Sequence, residues 1–166
     1  MEIRRLLGGD GARLCDVRLR ALADAPYAFS SSLDRESVLG PEFWDDWVAQ
    51  SELGERGVVF VAEADGSCVA MAGGFFVDDE RDVAMLGGMW VAPSARRGGL
   101  AQRLLEAVAG WAQACGAQRL RLAVTDCEAS APAAALYRTR GFVETGEHEA
   151  LDWNPSLTAR IMSRSL

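Results

Sequence analysis

Apolar residues recur along this chain with two different periods, and the switches between them divide it into helices and strands. From Arg97 to Cys115, residues Leu100, Leu104, Leu105, Val108, Trp111 and Ala112 recur at helical spacing, with Arg103, Glu106 and Gln113 opposite. That pattern predicts an amphipathic helix ended by Gly116. A helix is also predicted from a cap at Asp10 to about Ala23, with Leu14, Val17, Ala21 and Leu22 near one face. Pro41–Ser51 opens with a proline in its first turn and carries Phe43, Trp44 and Trp47. A fourth helix is predicted over Ala131–Arg140, stopped by Gly141. The segment Ala25–Ser32 reads as loop.

The strands lie between. Met1–Leu7 is broken by Gly8-Gly9-Asp10-Gly11. Gly57–Ala64 holds the continuous apolar run of a buried strand, Asp65-Gly66 is a hairpin signal, and Cys68–Val77 is the returning arm. A charged turn is expected over Asp78–Asp82. Val83–Val91 follows, interrupted by Gly87-Gly88, which fits a bulge. Arg119–Thr125 alternates charged and apolar residues as a strand does. Two further strands are expected between Phe142 and Leu166, around Asn154-Pro155-Ser156. The order is strand, two helices, three strands, helix, strand, helix, two strands. It predicts one mixed α/β domain over residues 1–166, built around a central sheet.

Composition narrows what such a domain does. The formal charge is −7, which argues against binding a nucleic-acid backbone and favours cationic partners, amines among them. No run approaches the roughly 18 apolar residues that span a bilayer, and the first residues lack the apolar stretch of a secretory signal. The expected location is therefore cytoplasmic, away from membranes. Every basic residue is Arg, so neither a lysine Schiff base nor a P-loop lysine is available. The four cysteines form no C-x-x-C pair and His148 is the only histidine, so no metal site is signalled.

The chemistry concentrates between Met89 and Leu105. A strand ends, a short loop with Arg96-Arg97-Gly98-Gly99 follows, and an amphipathic helix begins. A helix start offers unpaired N–H groups and the positive end of the macrodipole, and glycines let a ligand approach the backbone. Together they suit a diphosphate.

These residues resemble the GNAT superfamily of N-acetyltransferases. Its signature R/Q-x-x-G-x-G/A is met by Arg96, Gly99 and Ala101, between Val91-Ala92-Pro93 and Leu104-Leu105-Glu106-Ala107. Downstream, Ser130, Ala133, Leu136, Tyr137 and Gly141-Phe142 resemble the family's Asn-x-x-Ala-x-x-Leu-Tyr and Gly-Phe, with Ser130 in place of the usual Asn. The resemblance implies a mostly antiparallel central sheet of about seven strands flanked by about four helices, splayed between the fourth and fifth strands. It implies acetyl-CoA as cofactor, held by Met89, Trp90, Val91, Arg96, Arg97, Gly98, Gly99, Leu100, Ala101, Gln102, Ser130 and Tyr137.

The implied reaction is direct attack of a primary amine, on a small molecule or a protein, upon the thioester in a ternary complex. The Val91 N–H would bond the thioester carbonyl, and Tyr137 would protonate the departing sulfur. Val83–Val91 holds no acid to serve as general base; Asp82, Asp126 and Glu128 flank the expected cleft without one being assigned. The acceptor pocket is expected from Tyr27, Phe29, Ser31 and Trp44, with Trp153 as a further wall residue, while His148 reads first as a surface or core residue. No nucleic-acid or membrane partner is implied, and a homodimer is compatible with the resemblance. The competing readings are a module that binds acyl-CoA without turnover and an interaction domain in which the cradle is structural only.

Overall fold

The computed structural model describes residues 1–77, 79 and 81–166, so the charged turn expected at 78–82 lies partly outside the described residues. In chain order the elements are β1 (Ile3–Arg5), α1 (Gly11–Asp24), α2 (Leu33–Glu36), α3 (Pro41–Leu53), β2 (Gly57–Ala64), β3 (Ser67–Phe75), β4 (Val83–Val91), α4 (Leu100–Ala114), β5 (Arg119–Thr125), α5 (Ala131–Thr139), β6 (Val143–Leu151) and β7 (Asn154–Ser165). Asp65 and Gly66 take φ of 51° and 78°, the paired left-handed conformation of a two-residue hairpin, and so set the β2–β3 register.

The seven strands form one sheet in the order β1-β2-β3-β4-β5-β7-β6. Every neighbouring pair is antiparallel except β4 and β5, which run parallel. That parallel pair is short: it runs from Val83 opposite Arg119 to Leu86 opposite Leu122. Beyond Leu86 the two strands part. The cause lies in β4, where Gly88 takes a φ of 62° and the register with β3 shifts between Met71 and Gly73. An extra residue held in the left-handed region bends the strand away from its neighbour.

Each face of the sheet carries its own core. On one face Leu100, Leu104, Leu105, Val108 and Trp111 of α4 pack with Leu86, Leu120, Leu122, Tyr137 and Phe142. On the other, Leu14, Val17, Ala21 and Leu22 of α1 pack with Trp44, Val48, Val59, Val61 and Trp90. Alternation along β3 feeds both, since Met71 joins the second core while Ala70 and Ala72 join the first; Cys68 joins the second because a bulge beside the Ala62–Ala70 pair shifts the register by one residue.

Three departures from the sequence reading have local causes. The loop after Phe29 contains a one-turn helix, α2, whose start is capped by Ser32 Oγ accepting from the Arg35 N–H at 3.3 Å; it makes five α-helices among the described residues. Asp10 stands at the start of α1 without capping it, because its carboxylate takes the Leu7 N–H and the Arg4 guanidinium instead. The β6–β7 turn is made by Asp152 and Trp153, with Asn154 already paired to Leu151. Among the described residues no helix is long and apolar enough to cross a membrane.

Candidate active site

The helix read from Arg97 begins three residues later, at Leu100, and the difference creates the site. Arg97 and Gly99 take φ of 65° and 77°, so the chain between β4 and α4 curls before it enters the helix. A left-handed arginine costs roughly 1–2 kcal/mol, which marks the loop as shaped for a purpose beyond connection. None of the N–H groups from residue 97 to residue 102 donates to a described residue; the first bond is Arg103 N–H to the Gly99 carbonyl, 3.1 Å. Residues 96–99 are exposed, and the first turn of α4 holds no acidic side chain. Six unpaired donors at the positive end of a fifteen-residue helix make an anion cradle.

Arg96 braces this cradle. Its Nε donates to the Val91 carbonyl at 2.9 Å and its Nη2 to Asp24 Oδ2 at 2.5 Å. The same Asp24 oxygen accepts from Trp90 Nε1 at 2.8 Å. Both residues were expected as coenzyme contacts; the Trp90 side chain is thus buried in protein, while that of Arg96 is half exposed and spends Nε and Nη2 on the Val91 carbonyl and Asp24. Gln102 is also engaged: its Oε1 accepts from Arg140 Nη2 at 2.6 Å, which ties the end of α5 to the first turn of α4.

The edge of β4 faces the opening. Ala92 N–H donates to the Val69 carbonyl at 2.8 Å, and Val91 lies opposite Ala70. Amides alternate in direction along a strand, so the Val91 N–H points away from β3, toward the gap where β5 has departed.

Tyr137 is 6% exposed on α5, in the core shared with Leu100 and Leu104, with its ring 5.9 Å from that of Phe142. Its hydroxyl makes no hydrogen bond with the described residues, and burial pushes its pKa up to about 12. The phenol therefore keeps its proton throughout the ordinary pH range. Ser130, at the start of α5, is buried with its Oγ 3.3 Å from Cys127 Sγ.

Where β4 and β5 separate, a cavity of about 680 Å³ opens on the α1–α3 side of the sheet, walled in part by Met85–Gly88, Ala123 and Thr125. The loop read as an acceptor wall is pinned beside it at two points. Thr125 Oγ1 donates to the Tyr27 carbonyl at 2.6 Å, and Trp153 Nε1 to the Phe29 carbonyl at 2.8 Å. Phe29 lines the cavity together with Ser30; Tyr27 and Ser31 are not on its wall. Trp44 is 2% exposed in the core, stacked on Trp47 at 6.1 Å, and it is Trp47, one turn later, that reaches the cavity. Asp82, Asp126 and Glu128 do not line it, whereas Glu149 and Asp152 do.

A further wall residue, Arg18, escapes a reading that looks for aromatic walls. It is 7% exposed and paired with Glu36. Its sequence signal is a charge placed on the apolar stripe of α1, one turn after Leu14 and beside Val17. Among the described residues no cluster of His, Cys, Asp and Glu could hold a metal ion.

Comparison with known proteins follows the same outline. Residues 18–142 match the model of the acetyltransferase (GNAT) family. No curated protein matches the chain. Among solved structures, a GNAT-family acetyltransferase from Streptococcus pneumoniae shares the fold with a TM-score of 0.80 at 21% identity, over 99% of each chain. A Salmonella typhimurium protein solved with its cofactor acetyl-CoA gives 0.79 at 19% identity, over 100% of this chain and 94% of that one. The PaiA N-acetyltransferase from Thermoplasma acidophilum, in complex with coenzyme A, gives 0.73 at 19% identity, over 99% and 98%.

Proposed function

The chain belongs to the GNAT family of acetyltransferases, and on that premise we propose that it is an N-acetyltransferase carrying an acetyl group from acetyl-CoA to a primary amine by direct attack in a ternary complex. The observation that carries the reading is the run of unpaired amides from residue 97 to residue 102, set beside the opened edge of β4. Acetyl-CoA supplies an activated acetyl group as a thioester. The amides of residues 97–102 hold its diphosphate, and the backbone of Met89–Val91 receives the pantetheine arm much as a sheet edge receives an added strand.

The remaining chemistry falls to two groups on either side of the gap. The Val91 N–H donates to the thioester oxygen as negative charge builds there, a contribution of about 3 kcal/mol. As the C–S bond breaks, Tyr137 gives its proton to the departing sulfur, and the proton shed by the attacking nitrogen passes through water to restore the phenol. The amine approaches through the cavity between the 26–30 loop and the β4–β5 gap, which stands on the sheet face opposite Tyr137. Attack and departure are thereby served from opposite sides of the sheet.

Calorimetry with acetyl-CoA, followed by release of free thiol in the presence of amines, tests this. The expected result is saturable coenzyme binding and amine-dependent thiol release. No binding at millimolar acetyl-CoA would remove the coenzyme, and with it the reaction.

A further inference from the structure

Arg18 faces the cavity with part of its guanidinium unused. Its side chain is 8% exposed, and it gives Nε and Nη2 to the two oxygens of Glu36 at 2.8 and 2.7 Å. That fork occupies one edge of the group. Nη1 makes no hydrogen bond with the described residues, yet it is not sealed in protein as the Nε atoms of Arg121 and Arg140, which also lack a hydrogen bond there, are. It lies next to the β4 bulge: a methyl group built on Gly88 would stand 3.5 Å from it, and Arg18 and Gly88 both line the cavity. The rings of Phe29 and Trp47, 4.7 and 5.7 Å from the guanidinium carbon, flank the group. A buried ion pair is costly to desolvate and contributes little stability over an apolar pair of the same volume. Keeping one here, with free donors turned into a cavity, fits recognition better than stability.

We propose that Arg18 binds an oxyanion of the acceptor, so that the acceptor is a small amino-acid-like molecule bearing a carboxylate or equivalent group as well as the amine. The inference rests on the N-acetyltransferase reading above. Gly88 precedes Val91 by three residues, at most about 10 Å along the strand, so a molecule spanning from Arg18 to the thioester is short. Glu149 and Asp152 on the same cavity attract its ammonium end. A polyamine or a lysine side chain offers Arg18 no anion, and a second cation beside it is repelled.

The test compares amino acids, each beside its own carboxamide, as acceptors at saturating acetyl-CoA. The acids are expected to be used about 10- to 100-fold better in kcat/KM, the value of a charge-assisted hydrogen bond. Arg18→Met combined with Glu36→Leu removes both charges and leaves none stranded. It is expected to level acid and amide through KM while calorimetric affinity for acetyl-CoA stays unchanged. Arg18→Lys keeps the charge without the fork and retains part of the preference. A wild-type protein that binds acetyl-CoA but treats acid and amide alike, zero turnover on both included, overturns the proposal and leaves coenzyme recognition standing. Failure to bind acetyl-CoA removes the underlying reading and the proposal together.

Discussion

Replacing Tyr137 by Phe removes one oxygen from a ring that stays in place. The hydroxyl has no hydrogen-bond partner among the described residues, so the fold loses no bond with it. The ring keeps its core contacts with Phe142 and its neighbours. Stability should therefore change by no more than about 1 kcal/mol, a Tm shift of about 2–4 °C for a domain this size. Turnover should fall much further. A positioned general acid is worth about 10²–10⁴ in rate, or roughly 2.7–5.5 kcal/mol of barrier. The structure adds a condition. Burial holds the phenol at about 12, and an ordinary thiol ionises near 8.5, so transfer between them in water would be uphill by about 5 kcal/mol. The step works only if the departing sulfur is dehydrated as the phenol is, which raises its proton affinity in turn. Single-turnover acetyl transfer with acetyl-CoA preloaded isolates this step from product release. The account expects a rate loss of at least about a hundredfold and coenzyme affinity changed less than about threefold. An unchanged single-turnover rate, or a loss of several kcal/mol in stability, would refute the assignment.

Other consequences follow from the same geometry. Because the folded Tyr137 holds its proton more tightly than the unfolded one, its contribution to stability is full below pH 10 and is lost as pH rises toward 12. Wild type should lose about 2–3 kcal/mol across that range in denaturant titrations, and Tyr137→Phe should be spared that loss. Gly99→Ala meets no atom of the described residues within 4 Å but must hold a φ of 77°. It should cost about 1–2 kcal/mol of stability and, by calorimetry, weaken acetyl-CoA binding as the cradle relaxes. Trp44→Ala should cost about 3–5 kcal/mol in thermal or denaturant unfolding. Trp47→Ala, at the cavity, should act chiefly by raising the acceptor KM in steady-state assays.

Much of this arrangement is legible in the sequence, for local reasons. The helical stripe from Leu100 to Ala112 announces α4, and Asp65-Gly66 announces the hairpin, because both depend on neighbours in the chain. Gly87-Gly88 marks the bulge that parts β4 from β5, since only a residue free of Cβ takes that φ without penalty. What stayed hidden depends on tertiary packing. Trp44 and Trp47 share a helix face, and nothing in their spacing says which is covered by α1 and the sheet and which meets the cavity. The side chain of Arg96 is tied to the protein surface because Asp24, 72 residues earlier, stands within reach. Arg18 shows as a charge misplaced on an apolar stripe, but its partner, Glu36, comes from a one-turn helix that periodicity is too short to reveal.

The central claim is that backbone amides at the start of α4 grip a diphosphate, and amide spectra of ¹⁵N-labelled protein read those groups one by one. On adding acetyl-CoA, the resonances of Gly98, Gly99, Leu100, Ala101 and Gln102 should move furthest, with Val91 moving as well, and the same shifts should follow with desulfo-CoA. Spectra in which these amides stay still while others move, or in which nothing moves at saturating coenzyme, would contradict the account.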